Sequence, residues 1–308
     1  MFAARRIAVL LPLFALAGCE DFDIGGVMDR YHEDFHYNFA LDPGATVEVE
    51  NSNGSIEISG WDQNTIDIDG SKYAMSETRL HAMRIDVSHS PGSVSIRTVI
   101  PTDWRGNAGA KYVIRVPRRA ELERITSSNG SIRVDNIQGA AHLKTSNGSI
   151  HAASIQGVVD AHSSNGSLDI SDVTGDTTLH TSNGGIRADV RKGLFEATTS
   201  NGTITARLME ADSHPVRLES SNGRIDLTLD AAREVHADTT NSSITVRMPT
   251  SINAELRAHT SNASISSDFD VNIHGGLLSK HRLEGRIGSG GPVIDLGTSN
   301  GSIRILRL

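Results

Sequence analysis

From Ile132 onward the chain alternates in short bursts. Apolar Ile132 and Val134 flank Arg133, and the same triplet returns as Ile150/Ala152, Leu168/Ile170, Ile186/Ala188, Ile204/Ala206, Ile225/Leu227 and Ile244/Val246. A second burst follows each first one, centred on Leu143, Ala161, Leu179, Ala197, Leu218, Ala237 and Leu256. Apolar-polar alternation over so few residues predicts strands with one face turned inward. One unit, SSNGSIRVDNIQGAAHLKT at residues 127–145, holds a turn, a strand, a second turn and a second strand.

The turns carry the period. Asparagine marks them at Asn53, Asn129, Asn147, Asn165, Asn183, Asn201, Asn222, Asn241, Asn262 and Asn300, with steps from Asn129 of 18, 18, 18, 18, 21, 19, 21 and 38. The last step reads as two periods, and the 76 residues from Asn53 to Asn129 as four. A repeat near 19 residues is the mark of a solenoid, whose units bury their apolar faces only by stacking on one another. The expected fold class is all-β, a single-domain, parallel β-helix-like solenoid of about 19-residue coils. Stacking at about 4.8 Å would bring the asparagine amides into a hydrogen-bonded ladder. Asn-Gly also tolerates positive φ, which suits a chain reversal at each corner. Left-handed hexapeptide helices fit poorly, because only one corner per coil carries Ser-Asn-Gly and the coil length drifts.

Composition agrees with a thin interior, since aromatic residues are only 4% of the 308. The N-terminus reads differently. Arg5 and Arg6 precede an apolar run, Ile7 to Ala15, and Leu16-Ala17-Gly18-Cys19 resembles the lipobox of bacterial lipoprotein signals. That resemblance implies a signal peptide at 1–18, lipidation of Cys19 and a tether at 19–30. Several acyl chains on one residue would anchor the protein stably. Cys19 is the only cysteine, which excludes disulfides and cysteine metal sites. Removing Arg5 and Arg6 with the signal takes the formal charge from −8 to about −10. An acidic chain with scattered Lys and Arg argues against nucleic acid and against electrostatic adhesion to anionic lipid, so membrane attachment rests on the anchor.

The remaining domain, 31–308, divides into a divergent part at 31–127 and regular SNGSI repeats at 128–308. Phe35, Tyr37, Phe39 and Leu41 lead through Asp42-Pro43-Gly44 into TVEVENSNGSIEISGWD, and VIRVP follows at Val113 to Pro117. This text, with the SNGSI succession, resembles the bacterial putative-adhesin family of β-strand-repeat proteins, akin to toastrack domains. The resemblance implies an extracytoplasmic β-repeat fold and supplies no catalytic residues. Between Ala74 and Arg124 the repeat word is missing, which suggests a hairpin or short helix protruding from or capping the stack.

Candidate chemistry is sparse. His32-Glu33-Asp34-Phe35-His36 matches a zinc-protease motif that works on a helix. The alternation at Phe35, Tyr37 and Phe39 predicts a strand, with the two histidines about 13 Å apart and no shared metal. Three residues before each asparagine stand Lys144, His162, His180, Thr198, Glu219, Asp238 and His259. His162 and His180 should therefore be neighbours, able to bind a surface ligand or a transition metal with Asp160 near, although a solvated face explains them as well. The column Arg133, His151, Asp169, Arg187, Thr205 and Asp226 reads as cross-strand charge pairing. Trp61, Tyr73, Trp104 and Tyr112 either cap one end of the rod or, through Trp61 and Trp104, offer a binding surface. The final strand, Ser302 to Leu308, would lie at an open end guarded by Arg304 and Arg307.

No cofactor, metal or catalytic residue follows from these patterns. The expected function is non-catalytic: an envelope lipoprotein, lipid-anchored to the outer or inner membrane, with adhesin-like binding to an envelope glycan or protein. A periplasmic scaffold or envelope-stress component is the first alternative. A glycan-processing β-helix enzyme is the second, against which stand uniform turns and the lack of an aromatic other than Phe195 from Asn129 to Ser267.

Overall fold

The computed structural model describes residues 31–101, 107–273 and 279–308. Its N-terminal part comprises β1 (Tyr31–Ala40), β2 (Thr46–Asn51), β3 (Ile56–Trp61), β4 (Thr65–Ala74), the helix α1 (Glu77–Ala82), β5 (Arg84–Ser90), β6 (Ser93–Val99) and β7 (Ala108–Pro117). Regular coils follow, each with one strand in either of two sheets: β8 (Glu121–Ser127) with β9 (Ile132–Ile137), β10 (Ala141–Thr145) with β11 (Ile150–Gln156), and β12 (Val159–Ser163) with β13 (Leu168–Thr174). The same pattern continues as β14 (Thr177–Thr181) with β15 (Ile186–Lys192), β16 (Phe195–Thr199) with β17 (Ile204–Leu208), β18 (Val216–Ser220) with β19 (Ile225–Leu229), and β20 (Val235–Thr239) with β21 (Ile244–Met248). The chain finishes with β22 (Ala254–Thr260), β23 (Ile265–Ser267), β24 (Val271–Ile273), β25 (Arg282–Ile287), β26 (Val293–Thr298) and β27 (Ile303–Arg307).

The strands assemble into a 13-stranded and a 14-stranded sheet, the faces of one rod. The expected all-β solenoid is observed. Every inward residue of the two predicted columns is at most 2% exposed. Along the second column leucine and alanine alternate from Leu143 through Ala161, Leu179 and Ala197 to Leu218, so large and small side chains interdigitate between the sheets.

Coil order departs from chain order at both ends. Asn53 and Asn129 are not four coils apart: β3 pairs directly with β9, and β2 with β8. The intervening residues leave the stack and return on its outer side, where β6 runs parallel to β2 and β7 parallel to β3. At the other end β26 lies between β20 and β22, and β27 between β21 and β23. The final strand is therefore interior. Arg304 and Arg307 do not guard an edge, and Arg307 instead lies over the Phe269 ring at 5.4 Å. The asparagine spacing could not distinguish this order, because an interposed coil preserves the same total length.

Antiparallel strands close both ends. β4 and then β1 add to β7, and β5 adds to β6. At the far end β25 adds to β22 and β24 to β25. Such strands cover backbone groups that a parallel solenoid would leave open. Where a hairpin or a short helix is expected between Ala74 and Arg124, the chain forms both, α1 and β5–β6, with the Ser76 hydroxyl accepting from Arg79 N to start the helix. Phe35 on β1 covers Gly70 on β4, where any Cβ would meet its ring at 2.2 Å, and Phe39 stacks on His89 of β5 at 3.9 Å. This stack joins the outer edges of the two sheets.

The inward and outward assignment predicts a large asymmetry between neighbours. Ile186→Asp places an unpaired carboxylate in a core position that is 2% exposed, which should cost several kcal/mol. Arg187→Asp sets a second carboxylate opposite Asp169 on the outer face and should cost under about 1 kcal/mol. Circular dichroism melts of the two variants should separate clearly.

Candidate functional site

The Ser-Asn-Gly corner is built from three columns, each with its own reason. All ten asparagines join in one ladder in which each Nδ2 donates to the Oδ1 of its neighbour, at 2.7–2.8 Å. The bonds run in one direction, and Asn53 delivers the last to Ala108 O at 2.8 Å. Asn300 stands between Asn241 and Asn262, as the interposed coil requires.

The glycine serves a different purpose from the one its dipeptide suggested. Among these corners only Gly54 has positive φ. At Gly130, Gly148, Gly166, Gly184, Gly202, Gly223 and Gly301 a Cβ would fall 1.6–2.0 Å from a carbonyl oxygen of the adjacent coil. Close approach of backbones selects glycine. Ser242 and Ala263 hold the same place in two coils, so the demand is not absolute. Left-handed backbone occurs instead near the opposite corner, at Asn136, Ser154 and Asp172.

The third column was missed. Two residues before the asparagine stands a buried hydroxyl that bonds in two directions. Thr181 Oγ1 donates to Gly166 O at 3.0 Å and accepts from Gly184 N at 3.2 Å. Thr145, Ser163, Thr199 and Thr298 do likewise. The signal was present as Thr or Ser at one fixed offset, and its meaning appears only when the neighbouring coil is in place.

On the outer face of the 14-stranded sheet His162 and His180 are register partners with ring centres 5.7 Å apart, and His162 Nε2 lies 2.7 Å from Asp160 Oδ1. Asp238 is followed by Gly297 rather than His259, because the interposed coil contributes its own residue. The gap beside Gly297 is part of an open groove of about 430 Å³ lined by Glu219, Asp238, His259 and hydroxyl side chains. Burial raises the Asp238 pKa against the pull of His236, and the neighbouring Asp295 and Glu219 carboxylates raise it further. The Arg133 to Asp226 column is in register from strand to strand, and of the expected charge pairs His151 Nδ1 and Asp169 meet at 3.7 Å.

A model of the family described as Toastrack DUF4097 matches residues 44–228, or 185 of the 308. The chain belongs to the Toastrack DUF4097 family. Among solved structures it is similar to a putative cell adhesion protein from Clostridium sporogenes, at 11% identity and TM-score 0.25, covering 90% of this chain and 100% of that one. It is also similar to a putative adhesin from Bacteroides fragilis, at 13% identity and TM-score 0.28, covering 90% and 97%. No curated protein matches the chain.

In this toastrack rod the aromatic end is a cap. Tyr73 and Tyr112 are buried. Burial also pushes the Tyr112 hydroxyl up to about 12, against a hydrogen bond with Thr98 at 2.6 Å. Trp61 is half-buried, donates Nε1 to Thr65 O at 2.8 Å and lies 5.1 Å from the Arg115 guanidinium. Trp104 and Cys19 lie outside the described residues.

The zinc-protease motif is on strand β1, so the two histidines share no metal. His36 instead faces β4, with Nδ1 2.8 Å from Asp69 and Nε2 3.6 Å from Asp67. These three ligand groups would suit a cation, but the Arg115 guanidinium bonds both carboxylates. A bond from Asn38 and that guanidinium hold Asp67 below the usual carboxylate range despite its burial. The antiparallel registers of β1 on β4 and of β4 on β7 together assemble this group. At the opposite corner Arg233 is 1% exposed and donates Nη2 to Gly193 O and His214 O. Asp212 beside it is opposed by burial yet held well below the carboxylate range by Gly193 N–H, His214 N–H and the His214 ring.

Two predictions follow from this geometry. Gly166→Ala, whose Cβ would meet Gly148 O at 1.7 Å, should lower the melting temperature far more than Gly92→Ala, where the added carbon meets nothing within 4 Å. Asp67→Asn should destabilise by about 1–3 kcal/mol at pH 7, since it removes an ionised acceptor. A depressed folded-state pKa gives stability that is present above about 3.9, the unfolded value, and lost as pH falls through the folded value. The difference between wild type and Asp67→Asn in urea melts should therefore shrink on acidification below pH 4.

Proposed function

We propose that this toastrack chain is a non-catalytic envelope lipoprotein, anchored through Cys19, that binds a surface partner through its long sheet faces in the manner of an adhesin. The observation that carries this reading is the uninterrupted outer face: strand after strand in register, joined by short turns, with side chains in regular polar columns. Such a face presents a wide rigid area with little ordering cost, which favours binding to an extended partner. The serine, histidine and aspartate side chains follow the repeat and pair with one another, as His142 does with Asp160 across strands and His162 does along the same strand. Phe195 is fully buried and offers no stacking platform for a sugar ring.

Two measurements test the reading. Cys19→Ala should move the protein from the membrane fraction to the soluble fraction. Protease added to intact cells should degrade the rod, as followed by immunoblot. Protection until the outer membrane is breached would overturn the surface reading and favour a periplasmic scaffold.

A further inference from the structure

The parallel register of β12 and β14 does more than place two histidines near each other. Asp160 lies on the same outer face of β12 as His162, and its Oδ1 is 2.7 Å from His162 Nε2. That contact is ionic and lacks the alignment of a hydrogen bond, for Asp160 Oδ1 takes part in none, so it sets a carboxylate against the ring and leaves both ring nitrogens unbonded. His180 contributes the adjacent ring, 5.7 Å away and inclined by 42°. Among the described residues no hydrogen bond or ion pair engages the His180 side chain. His142 stands beyond Asp160, with Nδ1 3.6 Å from Oδ2.

We infer that His162 and His180 form a two-histidine site for a late first-row divalent ion, Zn²⁺, Cu²⁺ or Ni²⁺, with the adjacent Asp160 carboxylate supplying negative charge beside it. Imidazole is the ligand that suits these ions. With metal–nitrogen bonds of about 2.0–2.1 Å an ion lies roughly 3 Å from each ring centre, so rings at the observed separation are within bridging reach. The scaffold is already in position: both residues are paired on both sides within the sheet, by Lys144 and Thr198 in the same column. Lys144 is the register neighbour of His162 on β10, and the Asp160 carboxylate lies against the same ring. The His36, Asp67 and Asp69 trio differs, because Arg115 already supplies its positive charge. Two protein ligands leave coordination positions open on an exposed face, where water or a donor group from a partner completes the shell.

The test uses the purified full-length protein without an affinity tag, titrated calorimetrically with Ni²⁺ and Cu²⁺ alone. One ion per chain should bind in the micromolar range or tighter. His162→Ala and His180→Ala should each weaken binding by about tenfold or more, while His36→Gln leaves it unchanged. Both side chains are on the outer face, so the variants should melt as the wild type does. Electron paramagnetic resonance of the wild-type Cu²⁺ complex should show two imidazole nitrogens. Asp160→Asn, which removes a neighbouring negative charge, should weaken binding without moving the melting temperature. Absence of binding below millimolar concentration, or undiminished affinity in the double histidine variant, would overturn the assignment.

Discussion

Adjacent coils are held at the spacing of a parallel β-ladder, about 4.8 Å, and that distance dictates what each position can be. Like meets like at every level of the rod. Inward positions stack apolar on apolar, uniformly large at Ile132, Ile150, Leu168 and Ile186 and alternating in size at Leu143, Ala161 and Leu179. A corner whose backbones approach more closely excludes a Cβ, as at Gly148 and Gly166. An exposed amide with one donor and one acceptor along the axis can satisfy itself on its own copy, which is why asparagine alone persists through all ten corners. Thr181 and its counterparts do the same for buried backbone groups that the turn leaves unpaired by the sheet.

The same constraint creates the problem of the ends. A regular stack would finish in open strands, and each end answers with antiparallel strands reached by leaving the stack and coming back. The return fills a position inside the last coil. At one end this places β2 and β3 between β6–β7 and β8–β9, and at the other β26 and β27 between β20–β21 and β22–β23. The aromatic residues gather at the first of these closures, with Phe35 over Gly70 and against Tyr112 at 5.5 Å.

Much of this was legible from periodicity. The strands, the inward columns, the asparagine ladder and the meeting of His162 with His180 all follow once equivalent residues are stacked by period. What escaped depends on contacts that period does not encode. The glycines were read as conformational when the neighbouring carbonyl is what selects them. Hydroxyls before the asparagine were visible but mute without the next coil. The coil order near Asn53 and Asn300 was ambiguous because a gap of several periods is compatible with consecutive or interposed coils. The His36, Asp67 and Arg115 group needs two changes of strand direction that no local pattern announces.

The interposed coil ties the solidity of this end to a segment distant in sequence from one of its neighbours. β26 and β27 lie within the rod, and without them the inner edges of β20, β21, β22 and β23 would face an empty slot. Loss of that coil would thus breach the rod inside its end rather than merely shorten it. The unpaired strands on both sides of that breach would invite aggregation or proteolysis, so the architecture itself penalises any copy that fails to seat this coil.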